Sequence, residues 1–275
     1  MQIRNFADII AQYDCVIFDL WGVIHNGEVP YAGTVELVNN LSNEVFFLSN
    51  SQRPYHVIAQ HLRNMGIKLT EEQLLTSGDQ ARIWLEQMPA NTKIYPIDAD
   101  RHMLNNLTKV DQTEKSDYII FGAVHHNDDD LEQYDAIFKK AITNDIIMIC
   151  VNPDRKIFHG KDEYKYCPGF FAQKYEQIGG KVIYSGKPNL EIYNNLAQRI
   201  KTNDKNKILM VGDTFYTDIK GAQNFGIDSS LVLTGNSLRI IRQLMRQHNI
   251  TEQYAIHLML EQAEHKPTHI TPGIF

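Results

Sequence analysis

Cysteine is scarce. Cys15, Cys150 and Cys167 are the three in 275 residues, an odd number with no C-x-x-C spacing, which excludes a disulfide framework and a zinc knuckle. Cys15 and Cys150 lie inside apolar runs and read as small buried residues. Long apolar runs are missing too. The longest, Ile146 to Val151, falls far short of the roughly 18 residues that a membrane-spanning helix needs. The opening residues, Met1 to Asp8, lack the apolar stretch of a signal peptide, so no membrane partner and a cytoplasmic location are expected. Positive charge is in deficit: 27 Lys+Arg stand against 33 Asp+Glu, a net charge of −6. No basic excess exists to displace counterions from phosphates, so no nucleic-acid partner is expected. Internal repeats, low-complexity tracts and Gly/Ser linkers are also missing, which confines any domain seam to a short turn.

What remains is an ordinary folded composition, 43% hydrophobic and 22% charged, long enough for one large domain or two modest ones. Short apolar runs alternate with helical patterns, the signature of an α/β fold with a mainly parallel sheet. Strands are predicted at 15–18 and 45–48. The segment after Pro54 carries Ile58, Leu62 and Met65 at helical spacing and stops at Gly66, and Thr70 to Gln73 has capping-box spacing. From about Thr76 the alternation starts afresh, with strands predicted at 93–95, 118–121, 146–151 and 182–184. Helices are predicted from about Asp129 to Ile142 and after Pro168. Strands at 208–211 and 230–233 follow, then helices near 237–247 and 251–263 and a short Pro-containing tail. The seams fall near residues 76 and 184.

In an open parallel sheet, function gathers beyond the carboxyl ends of the strands. Four such loops carry unusual chemistry. Asp19-Leu20-Trp21-Gly22 offers a carboxylate and a Gly turn, suited to a nucleophile or a metal ligand. Ser49-Asn50-Ser51 offers a hydroxyl and backbone N–H groups for an anion. Gly186-Lys187-Pro188 places a lysine before a helix, able to neutralise a phosphoryl group. Gly212-Asp213 through Asp218 brings two carboxylates, oxygen ligands for a hard cation such as magnesium. Alone, each is ordinary: an Asp after a strand is usually a helix cap. The order Asp, Ser, Lys, Gly-Asp…Asp, each after a strand, is hard to obtain by accident.

With those motifs in place, the chain resembles the haloacid-dehalogenase (HAD) superfamily, and more closely its p-nitrophenyl-phosphatase-like subclass IIA. The likeness runs over nearly the whole chain, including Val151-Asn152-Pro153-Asp154 and the stretch from Gly27 to Gly33. It implies a Rossmann-like parallel-sheet α/β core from residues 1–76 and 184–275, with an α/β cap (type C2) inserted at 77–183. It implies a phosphatase of small phosphorylated metabolites, sugar phosphates or nucleotides, and is compatible with a homodimer. Carried over residue by residue, Asp19 would attack phosphorus and form an aspartyl-phosphate. Ser49, Asn50 and Lys187 would hold the phosphoryl oxygens. Mg2+ would sit between Asp19, the backbone carbonyl of Trp21 and Asp213, with Asp218 supporting them.

One position departs from the pattern. The family's phosphatases carry Asp two residues after the nucleophile, as general acid and then base; here it is Trp21. An indole N–H is a donor only, and general acid–base help is worth roughly 10²–10⁴-fold in rate. Several readings stay open at the level of sequence. The substrate is activated (an acyl phosphate, anhydride or phosphonate), or His25 or Asp154 supplies the missing acid, or the scaffold is a catalytically impaired phospholigand-binding or regulatory protein. For His25 a loop role is the plainer expectation. A phosphonate- or halide-cleaving hydrolase is weaker, since no Schiff-base lysine or halide pocket is specified. Asp154, with Arg155 and Lys156, falls where the resemblance puts the substrate-facing loop and would select the leaving group. Cap aromatics such as Tyr164, Tyr166 and Tyr175 are candidates to stack on a ring, while Phe170 and Phe171 read as core. His125 to Asp130 resembles a metal cluster, but its aspartates are better explained as favouring a helix N-terminus.

Overall fold

The computed structural model describes residues 2–99, 101–105, 107–122, 132–159 and 163–274. Among the described residues, thirteen strands run in chain order: β1 (Cys15–Phe18), β2 (Glu44–Ser49), β3 (Leu74–Thr76), β4 (Lys93–Ile97), β5 (Thr108–Lys109), β6 (Tyr118–Phe121), β7 (Ile147–Cys150), β8 (Lys156–His159), β9 (Glu163–Tyr166), β10 (Lys181–Tyr184), β11 (Ile208–Gly212), β12 (Asp228–Val232) and β13 (His269–Thr271). The chain divides into two compact units. One comprises Met1–Ser49, Ala59–Leu74 and Tyr193–Phe275, the other Asn50–Ile58 and Leu75–Ile192.

The first unit is built on a six-stranded sheet of order β13-β12-β11-β1-β2-β3. β1 lies in parallel between β2 and β11, with Phe18 opposite Phe47 on one side and Val211 on the other. All four residues of β1 and all five of β11 are buried. Strands covered on both faces need such continuous apolar runs, which is why Cys-Val-Ile-Phe and Ile-Leu-Met-Val were legible as strands. Strand order reverses between β1 and β11: β2 and β3 lie to one side, β12 and β13 to the other. This is the doubly wound Rossmann-like arrangement, with its crevice at the switch point.

The second unit holds a five-stranded sheet, β10-β7-β6-β4-β5, paired in parallel throughout, and an antiparallel hairpin, β8-β9. Its core is aromatic: Phe121, Phe138, Phe171 and Tyr175 are buried together. Burying each such ring stabilises by roughly 1.5–3 kcal/mol. Phe171 and Tyr175 therefore belong to this core rather than to a ring-binding face, and Tyr166 packs 4.3 Å from Phe170. The helix predicted from Asp129 runs Asp135–Thr143. The stretch His125 to Asp130 lies outside the described residues.

Elsewhere the expected helices occur at Tyr55–Asn64, Pro168–Gln177, Gly235–His248 and Glu252–Gln262. The Thr70 box closes one 3-10 turn, Gln73 accepting the Thr70 N–H at 2.8 Å. The tail differs from expectation: it contains β13, whose Ile270 is fully buried and accepts the Arg4 N–H at 2.9 Å. A three-residue strand with one apolar residue has too little periodicity to be seen in sequence. All three cysteines are free and buried, and burial pushes the Cys15 thiol up to about 12, leaving it protonated and inert. No described helix is long and apolar enough to cross a membrane.

Candidate active site

Asp19 follows the last residue of β1, Asp213 follows the last residue of β11, and Ser49 closes β2. Parallel pairing therefore delivers all three to the same edge of the six-stranded sheet. Asp19, Asp213 and Asp218 are buried, and each offers a carboxylate oxygen within 4.8 Å of the others. Burial comes first among the causes that drive the Asp213 carboxyl well above the usual carboxylate range, followed by the charges of Asp19 and Asp218. Like charges so placed favour a shared proton or a cation.

The local chain holds these groups in place. Asp218 Oδ2 accepts the backbone N–H groups of Asp213 and Thr214, both at 3.1 Å, which fixes the turn after β11. Asp213 Oδ2 accepts the Asn236 N–H at 2.7 Å, and Oδ1 accepts the Thr214 hydroxyl at 2.6 Å and the Asn236 amide at 3.3 Å. Gly22 lies directly against this carboxylate: a Cβ there would stand 2.0 Å from Asp213 Oδ2, so only glycine admits the approach. Three bonds leave a carboxylate with acceptor capacity for a cation. The donor set is all oxygen, preferred by magnesium or calcium over softer ions. These residues fit a hard divalent cation.

Trp21 is half-buried, its indole against Gly27 and edge-on to His25 with ring centroids 6.0 Å apart. His25 is 5% exposed, its Nδ1 accepting the Gly27 N–H at 3.0 Å. Its ring meets that of His61 at 5.6 Å and 87°. Burial, assisted by His61, brings the His25 pKa down to about 4, so the imidazole is neutral at pH 7.

In the other unit, Lys187 follows β10 and Asp154 follows the neighbouring β7. Asn50 joins them. Its Nδ2 donates to Asp154 Oδ1 at 2.8 Å and to the Lys187 carbonyl at 3.2 Å, while its Oδ1 accepts the Lys187 N–H at 2.8 Å. Lys187 is 1% exposed. Asn50, read from sequence as a phosphate ligand, thus has its carboxamide engaged with protein groups. This pairing joins residues 137 apart and leaves no local sequence signal. Asn236 was likewise missed, since an Asn at a helix start reads as an ordinary turn residue.

The architecture matches known proteins across its length. A possible sugar phosphatase of the HAD superfamily from Cytophaga hutchinsonii superposes with a TM-score of 0.77 at 22% identity, over 100% of this chain and 98% of that one. The family model described as haloacid dehalogenase-like hydrolase matches residues 16–111, and the HAD-hydrolase-like model matches 184–274. The chain belongs to the haloacid dehalogenase-like hydrolases. The 5′-nucleotidase YutF of Bacillus subtilis is 27% identical over 236 residues, 82% of this chain and 90% of that protein. A glycerol phosphate phosphatase from Mycobacterium tuberculosis, solved in complex with magnesium, has a TM-score of 0.70 at 21% identity, over 99% of this chain and 78% of that one. The two matched stretches of this HAD-like chain hold Asp19, Ser49, Lys187, Asp213 and Asp218.

Proposed function

We propose that this HAD-like hydrolase is a magnesium-dependent phosphohydrolase of a small phosphorylated metabolite, a sugar phosphate or a nucleotide. The observation that carries it is the buried trio Asp19, Asp213 and Asp218 within 4.8 Å at one sheet edge. Relatives that are phosphatases of such metabolites support the substrate class. In this reading residues 77–183 are the cap, and residues 1–76 with 184–275 are the catalytic core.

An Asp19 carboxylate oxygen attacks phosphorus. The bond from phosphorus to the leaving oxygen breaks, and an aspartyl-phosphate forms. Water then attacks that phosphorus, returning Asp19 and releasing phosphate. Ser49, a hydroxyl donor in one unit, and Lys187, a buried ammonium in the other, are each suited to a phosphoryl oxygen. Asp19, Asp213 and the Trp21 carbonyl would hold magnesium, and Asp218 fixes the turn that carries Asp213. When bound, the ion neutralises charge so that an anionic nucleophile can meet an anionic phosphate.

Trp21 cannot accept a proton from the attacking water. His25 does not replace it in this reading: its Nδ1 lone pair is taken by the Gly27 N–H, its Nε2 then carries the proton, and its lowered pKa leaves no imidazolium to act as an acid at pH 7. It braces the indole of Trp21 instead. Turnover is therefore slow on ordinary monoesters and faster on activated substrates such as acetyl phosphate, whose leaving group needs little protonation. Trp21 also favours a second reading, a phospholigand-binding protein that turns over nothing.

Phosphate release with magnesium separates the two, using acetyl phosphate, p-nitrophenyl phosphate, nucleotides and sugar phosphates. Asp19→Asn should cost on the order of 10⁴-fold or more, as loss of a nucleophile does. Trp21→Asp should raise turnover of monoesters by roughly 10²-fold or more. A wild type that releases phosphate from nothing yet binds one phosphorylated ligand saturably would sink the enzyme reading.

A further inference from the structure

Asn50 touches Lys187 in an unusual way. One side-chain amide pairs with both main-chain polar groups of a single residue, donating to the Lys187 carbonyl and accepting its N–H. It is the pattern by which neighbouring strands bind each other, made by a side chain. The remaining N–H of that amide goes to Asp154 Oδ1 at 2.8 Å. A neutral amide has two donor hydrogens, and both are committed. Asn50 is itself 3% exposed, so these bonds meet little competition from water.

The surroundings tighten the same joint. The Ser77 hydroxyl donates to the Asn50 carbonyl at 2.7 Å, and the Ser185 hydroxyl donates to the Ser77 carbonyl at 2.6 Å. Gly186, at φ +96°, lies between them: a Cβ there would stand 2.6 Å from both Asn50 Oδ1 and Ser77 Cβ. Further along, Glu191 Oε1 accepts from Gln80 at 2.8 Å and from the Trp84 indole at 2.6 Å. The loop carrying Lys187 is thus tied before, at and after the lysine.

A buried lysine on a four-carbon stem has many rotamers to lose, and fixing its main chain removes the first source of that freedom. We propose that Asn50 is a positioning residue for Lys187, and that Asp154 acts through Asn50 rather than by choosing the leaving group. This rests on the reading that Lys187 holds a phosphoryl group. It reassigns two residues whose chemistry alone suggested direct contact with substrate.

The test is a double-mutant cycle read in two ways: binding of inorganic phosphate by calorimetry with magnesium present, and turnover of acetyl phosphate. Asn50→Ala should weaken phosphate binding by roughly tenfold, the scale of coupling between touching residues. In the Lys187→Ala background the same change should add nothing, because Asn50 then has no lysine to place. Asp154→Asn, which keeps an acceptor for Asn50, should retain more phosphate affinity than Asp154→Ala. A thermal melt on each variant identifies any that fail to fold, and the Asp154 pair is a second series if Asn50→Ala is one of them. Additive losses in the double variant, or an unaltered Asn50→Ala, overturn the proposal. Phosphate binding with the expected cycle but no turnover overturns the phosphohydrolase reading alone. A wild type that does not bind phosphate overturns both.

Discussion

Two polar clusters lie at opposite ends of the six-stranded sheet, and their charges are handled in opposite ways. At the carboxyl end, Asp19, Asp213 and Asp218 gather three acids within 4.8 Å. At the amino end, Tyr13 precedes β1, while Asp228 and His269 begin β12 and β13. There the Tyr13 hydroxyl donates to Asp228 Oδ2 at 2.7 Å and meets His269 Nε2 at 2.7 Å, and Arg4 Nη1 meets His269 Nδ1 at 3.2 Å. Arginine only donates, so His269 Nδ1 is the acceptor and its proton sits on Nε2, facing Tyr13. The order Arg4 to His269 to Tyr13 to Asp228 passes from cation to anion, each donor finding an acceptor. One cluster closes on itself. The other gathers three buried carboxylates, whose mutual repulsion favours a shared proton or a cation, and that perturbation is what marks a site apart from a structural network.

Magnesium should expose that difference most strongly. A ligand that binds only the folded state stabilises it by about 2.7 kcal/mol at a hundred times its Kd. The wild type should therefore melt at a higher temperature as magnesium is added. Asp213→Asn should lose the increment, and Tyr13→Phe should keep it. A magnesium response that survives Asp213→Asn would break the assignment of the carboxyl end.

Tyr13→Phe should produce a smaller effect of a different kind. The hydroxyl is the hinge of the amino-end network, and its removal leaves Asp228 and His269 each short of a partner. Unpartnered polar groups cost roughly 1–3 kcal/mol when buried, and the low end applies because Asp228 and His269 are half-exposed. Urea denaturation should show that loss with phosphate release unchanged. Lost turnover in a folded Tyr13→Phe would mean the two ends are not independent.

How visible these clusters were in the sequence follows from the same contrast. Asp19, Ser49 and Asp213 each terminate an apolar run whose strand identity was plain, so their shared edge followed from the rule for parallel sheets. The amino-end network had no such marker. Tyr13 lies two residues before an apolar run, and His269 lies in a tail whose strand was too short to have a period. Asn50 was visible as a polar residue after a strand, but its partners Asp154 and Lys187 are 104 and 137 residues away. Local patterns give strands and the residues at their ends. Pairing across the fold is decided by packing, which no window of the sequence contains.

Acidity offers the finest discrimination, because the two ends titrate with opposite sign. Burial, and after it Arg4, lowers the His269 pKa below its ordinary 6.5, with Asp228 acting against them. The unfolded chain thus takes up a proton at a higher pH than the folded one. The stability held by neutral His269 is present above about pH 6.5 and is lost as pH falls through the lower folded value. Protonation also removes the lone pair that receives Arg4. Asp213 behaves the other way: its folded pKa is raised above 3.8, so its contribution is full below that value and is lost as pH rises through the folded one. Without magnesium, the stability of the wild type should therefore carry two opposed limbs, one lost through His269 as pH falls below about 6.5 and one lost through Asp213 as pH rises above about 3.8. His269→Gln should flatten the acid limb alone, and Asp213→Asn the alkaline limb alone. Melting temperatures between pH 4 and 8 would measure both. A single variant that flattened both limbs would show that the two ends share one titration, and the contrast between them would fail.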